Sequence, residues 1–153
     1  MTKIPALNKA QLVDYIRIAR PDNWLKNIFM VPGMLFALAY FKTPFTHALL
    51  FKIIIGFAST CLIASANYVI NEYLDIEFDK YHPVKKNRAL VKRMVNPKII
   101  YVEYAALAII GLLLAYLVSQ KFLGVSAFFL LMGIVYNVRP FRSKEKVYLD
   151  VLF

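Results

Sequence analysis

Four polar side chains recur every four residues near the middle of the chain: Asn67, Asn71, Asp75 and Asp79. On an α-helix a step of four residues overshoots one turn by only ~40°, so these side chains form one polar stripe. Mg²⁺ takes oxygen ligands, commonly one or two carboxylates together with substrate phosphate. Asn71, Asp75 and Asp79 are therefore the candidate metal ligands and catalytic residues, and Mg²⁺ is the expected cofactor.

Two alternative roles for the stripe are open. The carboxylates could simply be solvated at a helix end, but this leaves the two asparagines, which lie in an apolar stretch, without a reason. A calcium loop could begin at Asp75, yet its sixth position is Lys80 rather than glycine and its twelfth is Lys86 rather than glutamate. Neither role accounts for the whole stripe.

A basic segment follows the stripe and contains Lys85, Lys86, Arg88, Lys92 and Arg93. Such residues can neutralise the outer oxygens of a metal-bound diphosphate. They can equally mark the cytoplasmic side of a membrane protein and rest on anionic lipid. Lys85 and Arg88 are the candidate diphosphate-binding residues, because they follow the carboxylates closely in the sequence.

The elements that carry these residues are predicted from stretches without Asp, Glu, Lys or Arg. Four such stretches occur, of 15, 19, 17 and 17 residues: Asn27–Phe41, Ile53–Asn71, Tyr104–Gln120 and Phe122–Val138. A membrane-spanning helix needs ~20 mostly apolar residues, and lysines at the edges can extend a span. The sequence therefore predicts an all-α, polytopic membrane bundle in a single domain, 1–153. Its parts are an interfacial amphipathic helix at 8–20, spans at 24–42, 48–79, 98–119 and 122–138, a basic loop at 80–97, and the start of a fifth span at 147–153.

Charge placement predicts the orientation. The net charge is +10, and 16 of the 19 Lys and Arg residues fall on one side if the chain crosses four times. The positive-inside rule then places the N-terminus and the site-bearing loops in the cytoplasm. Because the basic residues adjoin apolar spans, membrane lipids and a phosphorylated substrate are the expected partners, and nucleic acid is not. The lone Cys61 allows no disulfide within the chain.

Two terminal segments complete the prediction. Leu12, Tyr15, Ile16 and Ala19 share one face of a helix, which is expected to lie in the membrane interface. The apolar residues 147–153 are too few to cross a bilayer, so the sequence is expected to be truncated within a fifth span.

The order of three motifs resembles the UbiA-type intramembrane prenyltransferases over residues 15–153. The stripe Asn71-x-x-x-Asp75-x-x-x-Asp79 is similar to the first aspartate-rich motif of that family. The other two motifs are Arg20-Pro21-x-x-Trp24-x-Lys26-Asn27, at the first helix, and Tyr136-Asn137-Val138-Arg139-Pro140-x-Arg142-x-Lys144, with Asp150 beyond.

The resemblance implies a nine-helix bundle in which Mg²⁺ and a diphosphate lie between two aspartate-rich motifs. It assigns metal and diphosphate binding to Asn71, Asp75 and Asp79. It assigns diphosphate contact or substrate steering to Lys26, Arg88, Tyr136 and Lys144. The chain departs from the commonest family form at Glu72, where aspartate is usual, and at Ala89, where proline often stands. The second aspartate-rich motif would lie in helices beyond this sequence.

The function that the resemblance implies is Mg²⁺-dependent transfer of an isoprenyl group from a prenyl diphosphate to a lipid or aromatic acceptor. His82-Pro83-x-Lys85 and the Arg20–Asn27 motif are similar to a second branch, which transfers phosphoribose from phosphoribosyl pyrophosphate to a polyprenyl phosphate. A non-catalytic membrane fragment or scaffold is a third alternative. A transporter would more often carry its charges near mid-membrane, between broken helices.

Overall fold

The structure is a computed structural model that describes residues 8–80 and 93–138. A two-residue strand β1 (Asn8–Lys9) pairs in parallel with β2 (Arg93–Met94), and all other regular elements are helical. In chain order these are α1 (Leu12–Ile18), a 3-10 helix (Pro21–Phe29), α2 (Met30–Tyr40), α3 (His47–Asp79), α4 (Pro97–Val118) and α5 (Gln120–Asn137).

Three helices in the described ranges are long and apolar enough to cross a membrane: His47–Ile76 within α3, Pro97–Val118 and Gln120–Asn137. This confirms the predicted helical membrane bundle. The 33 residues of α3 rise about 50 Å, whereas a hydrocarbon core is about 30 Å thick. The carboxylates of the polar stripe stand at the C-terminal end of this long helix.

The first predicted span, 24–42, is not one continuous α-helix. It is divided between the 3-10 helix and α2, whose lengths correspond to about 18 Å and 16 Å at their respective rises. The two pieces are consecutive in the chain and together rise about 34 Å, so the first span stays a prediction. The cause of the division lies in tertiary contacts, because Trp24 and Asn27 turn inward to hydrogen-bond with side chains of α3.

Helices α3 and α4 approach each other closely at Gly111. A β-carbon added there would lie 2.7 Å from Cγ1 of Ile63, and the Ser59 hydroxyl donates to the Gly111 carbonyl oxygen at 2.8 Å. Ser59 is fully buried, so this bond satisfies a polar group inside the apolar interface. Small residues that allow backbones to approach are typical of helix interfaces in membranes.

The buried face of helix α1 differs from the apolar face that the sequence predicts. Tyr15 and Ile18 are buried in a cluster with Val69 and Ile100, whereas Leu12 and Ile16 are exposed. Its apolar side chains are therefore shared between a face that packs on α3 and α4 and a face that points outward. The reason is that part of the helix packs into the protein core, through Tyr15 and Ile18.

Local signals set the starts of α4 and α5. The Asn96 side chain accepts a hydrogen bond from the Lys98 amide at 3.0 Å, and Pro97 occupies the first helical position. The Ser119 hydroxyl accepts from the Phe122 amide at 3.1 Å, so one residue separates α4 from α5. These caps fix the tight turn that brings α5 back along the bundle.

Candidate functional site

A cavity of about 640 Å³ lies between α3 and α5. Its wall on α3 includes Asn67, Tyr68 and Asn71, which belong to the face that carries the polar stripe. Its wall on α5 changes character along the helix. The N-terminal part is apolar and the C-terminal part is polar, in the order Val125, Phe128, Phe129, Met132, Gly133, Tyr136, Asn137. The cavity therefore joins an apolar region to a polar end.

Gly133 allows α5 to lie close to α3. A β-carbon added at this position would overlap the Asn67 side-chain amide, so only glycine leaves room for that amide against α5. The Asn67 Nδ2 also donates to the Phe129 carbonyl oxygen at 3.4 Å. The Asn137 Nδ2 donates to the Gly133 carbonyl oxygen at 2.8 Å. Amide side chains thus line the middle and the polar end of the cavity.

The 3-10 helix contributes Asn27 to the cavity lining, and polar side chains hold this helix on α3. The Trp24 Nε1 donates to the Ser65 hydroxyl oxygen at 2.8 Å, and the Asn27 Nδ2 contacts the Cys61 Sγ at 3.3 Å. The segment thus runs antiparallel to α3, and Asn27 reaches the cavity. Cys61 is a buried free cysteine, and this contact joins it to the 3-10 helix.

Arg20, just before the 3-10 helix, makes a third polar contact with α3, beside the polar stripe. Its Nε and Nη2 lie 3.0 Å and 2.9 Å from one carboxylate oxygen of Glu72, and its guanidinium stands 5.5 Å from the centre of the Tyr68 ring. The Arg20 and Glu72 side chains are 31% and 14% exposed, so the pair is partly shielded from water. The backbone of Arg20 is left-handed, with φ 48°, which turns the chain from α1 into the 3-10 helix.

Asp75 and Asp79 continue along α3, beyond the cavity wall. Each step of four residues advances about 6 Å along the helix, so Asp79 stands about 12 Å beyond Asn71. Asp79 is buried, with 4% of its surface exposed, and Asp75 is half-buried. Carboxylates at a helix C-terminus meet the negative end of the helix dipole, so a cation would be favourable there.

The donor chemistry of the stripe fits Mg²⁺ only in part. Within residues 8–80 and 93–138, no three His, Cys, Asp or Glu side chains converge to hold a metal ion. Two carboxylates and one amide oxygen match an ion that completes its shell with water and phosphate, which is the common Mg²⁺ arrangement. The residues could therefore hold Mg²⁺ with a diphosphate, but they do not form an all-protein cage.

The structure brings some predicted site residues together and leaves others apart. Asn71 and Tyr136 line the same cavity from opposite helices. Asp75 and Asp79 follow on α3, and Lys26 is exposed on the 3-10 helix, outside the cavity wall. The other predicted residues lie outside the described part of the chain: Lys85, Arg88 and Lys144. The roles assigned to all of these residues stay predictions.

Sequence reasoning missed several cavity residues as site residues. Tyr68 and Asn137 adjoin predicted site residues, and the four-residue spacing already marked Asn67. The apolar wall of α5, with Phe128 and Phe129, had no signal that separates it from lipid-facing positions. Gly133 could not be identified, because its importance depends on a contact 66 residues away in the chain.

These features define a class: a multi-pass helical membrane protein with a cavity between its spans and a carboxylate-bearing helix end beside it. Residues 28–153 match the sequence profile of the UbiA prenyltransferase family. The chain belongs to that family.

The curated relatives include two kinds of transferase. The decaprenyl-phosphate phosphoribosyltransferase of Mycolicibacterium smegmatis is 27% identical over 137 residues, which are 89% of this chain and 42% of that protein. The protein of the same name from Mycobacterium tuberculosis (H37Rv) is 27% identical over 79% of this chain and 40% of its own length. A protoheme IX farnesyltransferase of Yersinia pseudotuberculosis is 29% identical over 88% of this chain and 44% of its own length. The chain thus spans about two fifths of these relatives. No solved structure matches it significantly.

Proposed function

We propose that the protein contributes the first metal–diphosphate half-site of a UbiA-type intramembrane transferase, which moves an isoprenyl group from a prenyl diphosphate to a lipid or aromatic acceptor. The observation that carries this proposal is the cavity between α3 and α5, whose polar end has Asn71 on one wall and Tyr136 on the other. A prenyl diphosphate has the same division between a charged end and an apolar chain.

Each part of the cavity supports one requirement of such a transfer. Asn71, Asp75 and Asp79 would hold Mg²⁺, which neutralises the charge that develops on a departing diphosphate. Phe128, Phe129 and Met132 offer apolar surface to an isoprenoid chain and exclude water from a cationic carbon. The basic residues Lys26, Lys85, Arg88 and Lys144 are proposed to contact the diphosphate or to steer its approach. By the positive-inside rule, the polar end of the cavity is proposed to lie at the cytoplasmic face.

A second candidate is transfer of phosphoribose from phosphoribosyl pyrophosphate to a polyprenyl phosphate. Two observations favour it. Two of the relatives are named decaprenyl-phosphate phosphoribosyltransferases. The cavity is also lined by four asparagines, Asn27, Asn67, Asn71 and Asn137. Their amides can hydrogen-bond to sugar hydroxyls but make no hydrogen bond to a hydrocarbon chain.

One binding experiment separates the candidates. The intact protein is purified in detergent, and binding of geranylgeranyl diphosphate and of phosphoribosyl pyrophosphate is measured with and without Mg²⁺. Mg²⁺-dependent binding of the prenyl diphosphate supports the first candidate. Binding of the sugar diphosphate alone moves the protein to the second. If neither ligand binds with Mg²⁺, the half-site proposal is wrong, and the protein is better understood as a non-catalytic scaffold.

A further inference from the structure

Glu72 is the carboxylate nearest in sequence to the proposed ligands, and the structure pairs it with a cation instead. It precedes Asp75 by three residues, and side chains three or four positions apart on a helix have Cβ atoms about 5–6 Å apart. A third carboxylate is therefore within reach of the stripe. Yet both contacting nitrogens of Arg20 lie within 3.0 Å of one Glu72 oxygen.

The pair is held from three sides. The αL backbone of Arg20 and the following Pro21 set the direction in which its side chain leaves the chain. The Tyr68 ring lies beneath the guanidinium at cation–π distance. The Trp24–Ser65 hydrogen bond fixes the segment one turn further along. An arginine supported in this way loses little additional freedom when it binds a carboxylate.

We infer that Arg20 is a positioning residue that withholds Glu72 from the metal stripe and thereby sets which divalent ion the stripe prefers. This inference rests on the proposed metal half-site. With Glu72 on Arg20, Asp75 and Asp79 remain as the two carboxylate donors, a set that suits Mg²⁺ with phosphate. With Glu72 released, a third carboxylate adds oxygen ligands and negative charge, which favours the larger Ca²⁺ with its six to eight ligands.

The absence of a three-carboxylate cluster agrees with this assignment. In the two described ranges, no three acidic, His or Cys side chains converge on a metal position. Glu72, Asp75 and Asp79 have the sequence spacing to do so, since they stand at i, i+3 and i+7 of one helix. In the structure Glu72 is bonded to Arg20, and Asp75 and Asp79 make contacts of their own.

The test measures ion preference directly, without enzymatic turnover. Binding of Mn²⁺ to the purified intact protein is read from the paramagnetic resonance signal of free Mn²⁺, in the presence of methylenediphosphonate, a diphosphate analogue. Mg²⁺ and Ca²⁺ then compete with the bound Mn²⁺. The variants are Arg20→Gln, Glu72→Gln and the double variant, with Arg17→Gln on α1 as the matched control for loss of one basic residue.

The expected result is that Arg20→Gln shifts the preference toward Ca²⁺ over Mg²⁺ by about tenfold, the lower end for changes beside a metal site. The double variant and Glu72→Gln alone should have the wild-type preference, because neither offers a third carboxylate. Emission from the single tryptophan, Trp24, shows whether the segment stays docked on α3.

Three outcomes would overturn the inference. The preference could be unchanged in Arg20→Gln, the shift could persist in the double variant, or Glu72→Gln alone could weaken Mg²⁺ binding about tenfold, which would make Glu72 a ligand. Mg²⁺ binding by Glu72→Gln is measured without an Arg20 variant. It therefore shows whether Glu72 is a ligand even if Arg20→Gln undocks the 3-10 helix from α3. A wild-type protein that binds no Mn²⁺ would instead refute the half-site itself.

Discussion

Replacing Gly133 with alanine is expected to destabilise the protein by forcing α3 and α5 apart. The added β-carbon would overlap the Asn67 amide, which cannot retreat without entering the cavity or losing its bond to the Phe129 carbonyl oxygen. Overpacking of this kind costs about 1–3 kcal/mol. At about 2–4 °C per kcal/mol for a chain of this size, the thermal midpoint should fall by about 2–12 °C.

The matched control is Gly124→Ala, on the same helix. A β-carbon added at Gly124 meets nothing within 4 Å, and alanine is favoured over glycine in a helix by about 1 kcal/mol. Thermal unfolding of both variants in detergent is followed by circular dichroism, together with the double variant Asn67→Ala/Gly133→Ala. The double variant should recover part of the loss. If Gly133→Ala is as stable as Gly124→Ala, or if Asn67→Ala brings no recovery, the two cavity walls do not pack through Asn67 and Gly133.

Two further predictions concern contacts that position the bundle. Asn96→Ala removes the side-chain oxygen that caps α4 at the Lys98 amide, so stability should fall by about 0.5–2 kcal/mol, measured as a lower midpoint in thermal unfolding. Asn96→Asp, which keeps a capping oxygen, should lose much less. Ser65→Ala leaves the Trp24 indole N–H without its acceptor, which should cost about 0.5–1.5 kcal/mol and shift tryptophan emission. Ser65→Thr should retain the emission of the wild type, and unchanged emission in Ser65→Ala would show that the 3-10 helix is not docked through this bond.

The sequence is informative about the elements because membrane helices need long charge-free stretches. Helix α3 occupies His47–Asp79 and α5 Gln120–Asn137, where the sequence predicts spans at 48–79 and 122–138. The region 24–42 is different, since hydropathy alone cannot distinguish a continuous helix from a 3-10 segment followed by α2. That division depends on where polar side chains find partners on another helix.

The candidate site shows the same limit. The four-residue spacing that includes Asn71 and Asp75 predicts which helix face carries the polar groups, because it follows from local geometry. The bond from Arg20 to Glu72 joins residues 52 apart, and no local pattern indicates it. Likewise, Gly133 is one of five glycines and stands out only once Asn67 is seen against it.

The central claim, that the end of α3 binds a metal-bound diphosphate, is tested most directly by Asp75→Ala in a ligand-binding measurement. Mg²⁺-dependent binding of geranylgeranyl diphosphate and phosphoribosyl pyrophosphate is compared in wild type, Asp75→Ala and the control Asp22→Asn, which changes an exposed carboxylate on the 3-10 helix. We predict that whichever ligand the wild type binds is lost in Asp75→Ala and kept in Asp22→Asn. Binding that is unchanged in Asp75→Ala would contradict the claim and would identify the stripe as a solvated helix end.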